Sequence, residues 1–182
     1  AWAFGIPGVG EIRSHAVITD RTFFTASVSG HVFALDRASG CVKWHRRPAG
    51  VIRSALSVAT IKERPALLFA GAGAGADLEA YGQIVYALDS ETGALLWRKD
   101  VGLFEGSILT GSIVPHEDKL YVPVSAMGVA LATNPEYECC KSHGAVHALD
   151  ADTGDILWTA HMTADAKPTY KNSVGVQQWG PS

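Results

Sequence analysis

The sequence predicts an all-β chain holding about three consecutive four-stranded blades of a larger propeller, an incomplete ring. Two observations carry this expectation. A strand-and-turn segment recurs three times, and a tryptophan follows each copy at the same distance. A third observation agrees with them: no segment shows helical periodicity, while 19 glycines are spread along the 182 residues, as turn-rich β proteins require.

The three copies are Val32-Phe33-Ala34-Leu35-Asp36-Arg37-Ala38-Ser39-Gly40, Val85-Tyr86-Ala87-Leu88-Asp89-Ser90-Glu91-Thr92-Gly93 and Val146-His147-Ala148-Leu149-Asp150-Ala151-Asp152-Thr153-Gly154. Trp44, Trp97 and Trp158 each stand four residues beyond the glycine, and Trp2 opens a similar Trp-x-x-Gly stretch. Successive tryptophans are 42, 53 and 61 residues apart. Those periods suit four-stranded blades of about 40–50 residues carrying insertions.

Each part of the repeat has a physical reason. Val-x-Ala-Leu-Asp alternates as a strand does, its side chains pointing to opposite faces in turn. Asp-x-x-Ser/Thr-Gly is hairpin chemistry: the carboxylate accepts turn amides, and glycine tolerates the positive φ of a tight reversal. The return strand brings the tryptophan, whose large area must be covered by something outside its own thin sheet. Neighbouring blades supply that cover. Upstream of each copy, strands are expected at Ser14–Thr19 with Thr22–Ala26, Ser54–Thr60 with Leu67–Gly71, and Leu109–Pro115 with Leu120–Pro123. Blade limits are expected near residues 6–49, 50–102 and 103–163, with a further blade beginning at 164–182.

Composition narrows the function classes. A net charge of −3 with no basic run leaves no electrostatic footprint for nucleic acid. The longest uncharged apolar run, Ala66 to Ala76, is too short for a helical membrane span, which takes about 20 residues. The chain opens on Ala1, within an expected strand, and no signal peptide is visible in it. Gly71-Ala72-Gly73-Ala74-Gly75 has the glycine content of a phosphate loop, but no helix follows to supply the amides such loops use.

Positions that break the repeat are the better functional candidates. The loop after the second strand lengthens from Ser27–Gly30 through Ala72–Gly82 to Val124–Gly144. Insertions at one point of each repeat gather on one face of a ring, often the binding face. The longest loop carries the adjacent pair Cys139-Cys140. Neighbouring α-carbons are ~3.8 Å apart, below the usual disulfide range of about 4.4–6.8 Å. The pair therefore reads as a small strained ring or as two free thiols. No Cys-x-x-Cys motif or cluster of histidines argues for a metal. Cys41, just after a turn glycine, reads as an unpaired, semi-buried residue. His147 takes the repeat position of Phe33 and Tyr86 and reads as an ordinary strand residue.

These segments resemble the pyrroloquinoline quinone (PQQ) dehydrogenases, eight-bladed propellers that oxidise alcohols. The polyvinyl-alcohol dehydrogenase branch is the nearer resemblance. It is carried by Asn134-Pro135-Glu136-Tyr137-Glu138-Cys139-Cys140 with Gly144-Ala145-Val146-His147-Ala148-Leu149-Asp150, and by Ala1-Trp2-Ala3-Phe4-Gly5. Ser39-Gly40-Cys41 with Trp44, Tyr121-Val122-Pro123-Val124-Ser125 and Gln178-Trp179-Gly180-Pro181-Ser182 extend it along the chain.

The resemblance implies a site that this chain fills only in part. Cys139 and Cys140 match a disulfide between neighbouring cysteines that lies against the quinone ring. Arg53 resembles an arginine able to grip a PQQ carboxylate through two parallel hydrogen bonds, and also reads as a solvated or inter-blade arginine. Thr110 falls near a cofactor-contacting hydroxyl, and also reads as a buried strand threonine. Ser182 matches the first residue of a Ser-Gly-Ala stretch that touches the quinone. His143 is a departure, standing where relatives usually carry an arginine that holds a PQQ oxygen. A histidine there can still donate a hydrogen bond, with a charge that varies near neutral pH.

By the same resemblance, the calcium ligands, the aromatic floor beneath PQQ and the carboxylate base come from later blades, and no metal ligand is expected in this segment. The implied parent is a periplasmic PQQ- and calcium-dependent dehydrogenase that oxidises an alcohol and passes electrons to a cytochrome c. This segment alone is expected to be inactive. No Cys-x-x-Cys-His haem site is present in the sequence. The alternative is a non-catalytic propeller of the same repeat, binding protein along its rim in the bacterial envelope. The Cys-Cys loop separates the two, since a scaffold has no evident use for it.

Overall fold

The computed structural model describes residues 1–6, 11–72, 83–104 and 106–180. The first sheet orders β1 (Val17–Ile18), β2 (Thr22–Ala26), β3 (Val32–Asp36) and β4 (Val42–Arg46) as an antiparallel meander. The second repeats it with β5 (Ser57–Ile61), β6 (Arg64–Gly71), β7 (Ile84–Asp89) and β8 (Leu95–Asp100). In the third, a short strand β9 (Ser107–Ile108) joins one end of the meander. The meander itself is β10 (Val114–His116), β11 (Lys119–Ala126), β12 (Ala145–Asp150) and β13 (Ile156–His161). Between β11 and β12 lies a single helical turn, α1 (Gly128–Leu131). A final hairpin pairs β14 (Lys167–Lys171) with β15 (Gln177–Gly180).

The blades form as the repeat predicts. Asp36 Oδ1 accepts the amides of Ala38 and Ser39 at 3.1 and 2.8 Å and the Ser39 hydroxyl at 2.8 Å. Asp89 does the same with Glu91 and Thr92, and Asp150 with Asp152 and Thr153. Gly40, Gly93 and Gly154 then reverse the chain at φ of 75°, 70° and 76°, the left-handed region where glycine pays no side-chain penalty. The β5–β6 hairpin uses two positive-φ residues without glycine, Lys62 and Glu63. Their conformation matches the right-handed twist of the flanking strands.

The core lies between blades. Leu67, Phe69, Tyr86 and Leu88 of the second blade pack with Phe24, Ala34 and Trp44 of the first. Their alternates Leu68, Ala70, Val85 and Ala87 pack with Leu120, Val122, Val124 and Leu149 of the third. The middle strands β6 and β7 are thus apolar on both faces, and each fully buried large side chain contributes about 1.5–3 kcal/mol. Three of the tryptophans reach the next blade. Trp2 Nε1 donates to Arg37 O, Trp44 to Ser90 O and Trp97 to Ala151 O, at 3.0, 2.9 and 3.0 Å. Trp158 makes no such contact among the described residues and is 44% exposed.

Three expectations need correction. The first strand of each blade is shorter or later than predicted; in the second blade Ser54 Oγ bonds both the amide and the carbonyl of Ala70 and holds the chain before Ser57 out of the ladder. One helical turn among the described residues was not expected, being too short to leave a 3.6-residue pattern, and the fold remains all-β. Cys41 is exposed rather than semi-buried, since the residue after the turn glycine points to the outer edge of the blade.

Candidate functional site

The long loop of the third blade is folded rather than merely inserted. After α1, Asn134 Oδ1 accepts the Glu136 amide at 3.0 Å, Tyr137 N donates to Asn134 O, and Cys139 N donates to Tyr137 O. Cys139 and Cys140 are joined by a disulfide across a cis peptide. Of the two readings open in the sequence, the bonded pair is the one present. Both cysteines are half-buried, with Cys139 Sγ 3.9 Å from Gly128 O.

The last hairpin holds this disulfide in place. Cys140 N donates to Trp179 O at 3.0 Å and Trp179 N donates to Cys139 O at 2.5 Å. Asn172 Nδ2 caps Pro135 O at 2.7 Å. Lys141 Nζ lies 5.0 Å from the centre of the Trp179 ring, a cation–π contact, and also pairs with Glu138.

Beside the loop opens a cavity of about 460 Å³, within the ordinary range of ligand pockets. Leu103, Phe104 and Tyr137 form its apolar and aromatic walls. Glu138, Lys141, Ser142, His143 and His161 supply polar groups. His143 Nε2 lies 2.7 Å from His161 Nδ1. The other nitrogen, His143 Nδ1, is buried with no partner among the described residues, and so is Trp179 Nε1. Apolar and aromatic walls with two imidazoles in the lining fit a flat, oxygen-bearing ligand.

His147 is an ordinary strand residue, as its repeat position predicts. It is buried, its Nδ1 meeting Thr159 Oγ1 at 2.7 Å and its Nε2 meeting Val101 O at 3.1 Å. Burial pushes its pKa below the usual histidine value. The Val101 carbonyl opposes that shift and the charge of His161 adds to it.

The sequence candidates separate in space. Cys139, Cys140 and His143 share the long loop, and of the three His143 lines the cavity. Arg53 and Thr110 are exposed and do not line the cavity. Arg53 follows Ile52, which bridges to Gly71, and its charge is felt by Glu11, whose carboxyl is lowered first by Arg13 and less by Arg53. Ser182 and most of the Ala72–Gly82 loop lie outside the described residues. Sequence reasoning missed His161 and the clamp made by Trp179, neither of which breaks any local pattern. Among the described residues no group of three or more His, Cys, Asp or Glu side chains is arranged for a metal, and no helix is long and apolar enough to cross a membrane.

A family model described as outer membrane protein assembly factor BamB, built on the PQQ repeat, matches residues 1–167. The chain is 38% identical over its whole length to a polyvinylalcohol dehydrogenase of Pseudomonas sp and 39% identical to one of Sphingopyxis sp. (strain 113P3). It spans 27% of each of those proteins. A europium-containing methanol dehydrogenase superimposes with a TM-score of 0.65 at 24% identity, over 90% of this chain and 27% of that one. That last likeness is one of fold.

Proposed function

Because the chain belongs to the PQQ-repeat family described as outer membrane protein assembly factor BamB, we propose that it forms three blades of a PQQ- and calcium-dependent alcohol dehydrogenase. The observation that carries this reading is the Cys139–Cys140 disulfide, clamped by Trp179 beside a cavity lined by Phe104, Tyr137 and His143. An assembly scaffold of the same repeat needs neither feature. The 38–39% identity to polyvinylalcohol dehydrogenases, which runs through the disulfide loop, supports the same reading.

PQQ, when bound, supplies a quinone that accepts two electrons from an alcohol. The chain's own contribution is to bind and orient. Cys139–Cys140 would hold one face of the ring with polarisable sulfur, and Tyr137 and Phe104 would close the apolar side and exclude water. The His143 and His161 imidazoles would give the cavity a polar wall toward ligand oxygens. Glu138 and Lys141 pair with each other, so neither leaves an isolated charge in the cavity. Arg53, Thr110 and Ser182 remain proposed contacts that only the closed ring would bring to the cofactor. Calcium would be held by residues of other blades, and a cytochrome c would accept the electrons. The disulfide supports a periplasmic location, since such bonds persist in oxidising compartments.

The test uses the full-length protein, loaded with PQQ and calcium, with reduction of an artificial dye followed in the presence of polyvinyl alcohol or a simple alcohol. Saturable turnover that needs both additions is expected, and none from residues 1–182 alone. Turnover independent of PQQ would overturn the proposal.

A further inference from the structure

The repeat supplies its own control for the boundaries between blades. Lys99 stands six residues after Gly93, and Asp155 directly follows Gly154 of the next blade. Their charged groups meet at 2.7 Å across the boundary between the second and third blades. At the boundary between the first and second blades the same two positions hold Arg46 and Ala94. The cation is kept there and its carboxylate is gone.

Two further positions change in the same direction. Arg47 stands where the second blade has Asp100, and Arg98 where the third has Thr159. Arg46, Arg47 and Arg98 line one cavity of about 330 Å³, together with Leu88, Ala94 and Leu95. Leu88 is buried in the core between the blades, while Leu95 is 53% exposed. This cavity shares no lining residue with the one beside the disulfide. None of its three arginines forms an ion pair among the described residues. Glu91, in the turn that ends at Gly93, is engaged by Lys43 at 3.7 Å. Neutral acceptors hold two of the guanidinium groups. Arg46 Nη1 donates to His45 O at 2.9 Å and Nη2 to Thr92 O at 2.8 Å, and Arg47 Nε donates to Ser29 O at 3.1 Å. Carbonyls fix these groups without cancelling their charge, and each keeps N–H donors to spare. Three like charges around one cavity repel one another, and an anion among them relieves that cost.

We propose that this cavity binds a small organic carboxylate: its charged group takes the part that Asp155 plays at the next boundary, and its apolar body lies on Leu88 and Leu95. Guanidinium groups suit that ligand, because their planar fork meets a carboxylate with two parallel hydrogen bonds. The volume is near the lower end of the ordinary range for ligand pockets, which fits a small molecule. Binding is a matter of charge and packing, and no covalent bond changes.

The test is calorimetric titration of the full-length protein with octanoate, and with acetate as a carboxylate that lacks the apolar body. Octanoate should bind saturably, and acetate roughly tenfold or more less tightly, since it leaves Leu88 and Leu95 uncovered. Ala94→Asp supplies the missing carboxylate from the chain itself, as Asp155 does at the next boundary, and should weaken octanoate binding by roughly tenfold or more. Arg98→Gln, a change on the exposed outer strand of the second blade, should weaken it to a similar degree and keeps the test open if the first variant does not fold. Equal octanoate affinity in the parent and in both variants overturns the proposal. So does a parent protein that binds no octanoate, or one that binds acetate as tightly. The titration needs no PQQ, so its outcome is separate from that of the functional reading above.

Discussion

Trp97 of the second blade lies against Gly154 of the third, so closely that a β-carbon on Gly154 would stand 2.7 Å from the ring. The same contact joins Trp44 to Gly93 and Trp2 to Gly40. One glycine thus serves two demands, the left-handed turn that ends the Asp-x-x-Ser/Thr-Gly segment and the flat seat for the neighbouring indole.

Replacing Gly154 by alanine tests that double duty. A left-handed conformation costs an L-residue about 1–2 kcal/mol, and crowding a packed contact adds about 1–3 kcal/mol. Gly175 is the control: its φ is 84°, with nothing within 4 Å of a built β-carbon. Denaturant unfolding should show Gly154→Ala to be more destabilising than Gly175→Ala by the crowding contribution. Equal losses would mean that the indole seat adds nothing.

Much of the fold was legible in the sequence, because the repeat encodes strand, turn and return strand together. Asp36, Asp89 and Asp150 could be read as turn acceptors from composition alone, and their amide bonds follow. The late start of β5 could not, because it depends on the bond of Ser54 to Ala70, which lie sixteen positions apart. The site divides in the same way. An adjacent cysteine pair in the longest insertion is visible to inspection. That His161 meets His143 depends on the register of β12 with β13, including a bulge between Ala148 and Leu149. Trp179 reaches the disulfide only through tertiary placement of the last hairpin.

The thiols give a direct chemical prediction. Alkylation of the folded protein without reductant should label Cys41, which is exposed and free, and leave Cys139 and Cys140 unlabelled. Mass mapping should place both in one peptide lighter by two hydrogens, and label them after reduction. A cross-link from Cys41 to either would contradict the arrangement.

His147 should make stability depend on pH. Its folded pKa lies below the ordinary 6.5, chiefly through burial, so the unfolded chain binds the proton more readily. Stability should therefore be fully present above about pH 6.5, and should fall as the pH drops through the folded value. Melting temperatures measured from pH 7.5 down to 5 should show this loss. His147→Phe, which places the residue of position 33 here, should remove the histidine's share of the slope. It should also lower stability at pH 7.5 by about 1–3 kcal/mol, the cost of leaving the Val101 carbonyl without its donor. An unchanged slope in that variant would assign the pH dependence to other groups.

The central claim is that the clamped disulfide and the His143 cavity form one wall of a PQQ site. The most direct measurement is a crystal structure of the full-length protein grown with PQQ. The account predicts the quinone ring against the Cys139–Cys140 sulfurs, with an imidazole of His143 or His161 within about 3.2 Å of a ligand oxygen, the outer limit of a good hydrogen bond. PQQ bound elsewhere, with the cavity beside Trp179 left to solvent, would contradict it.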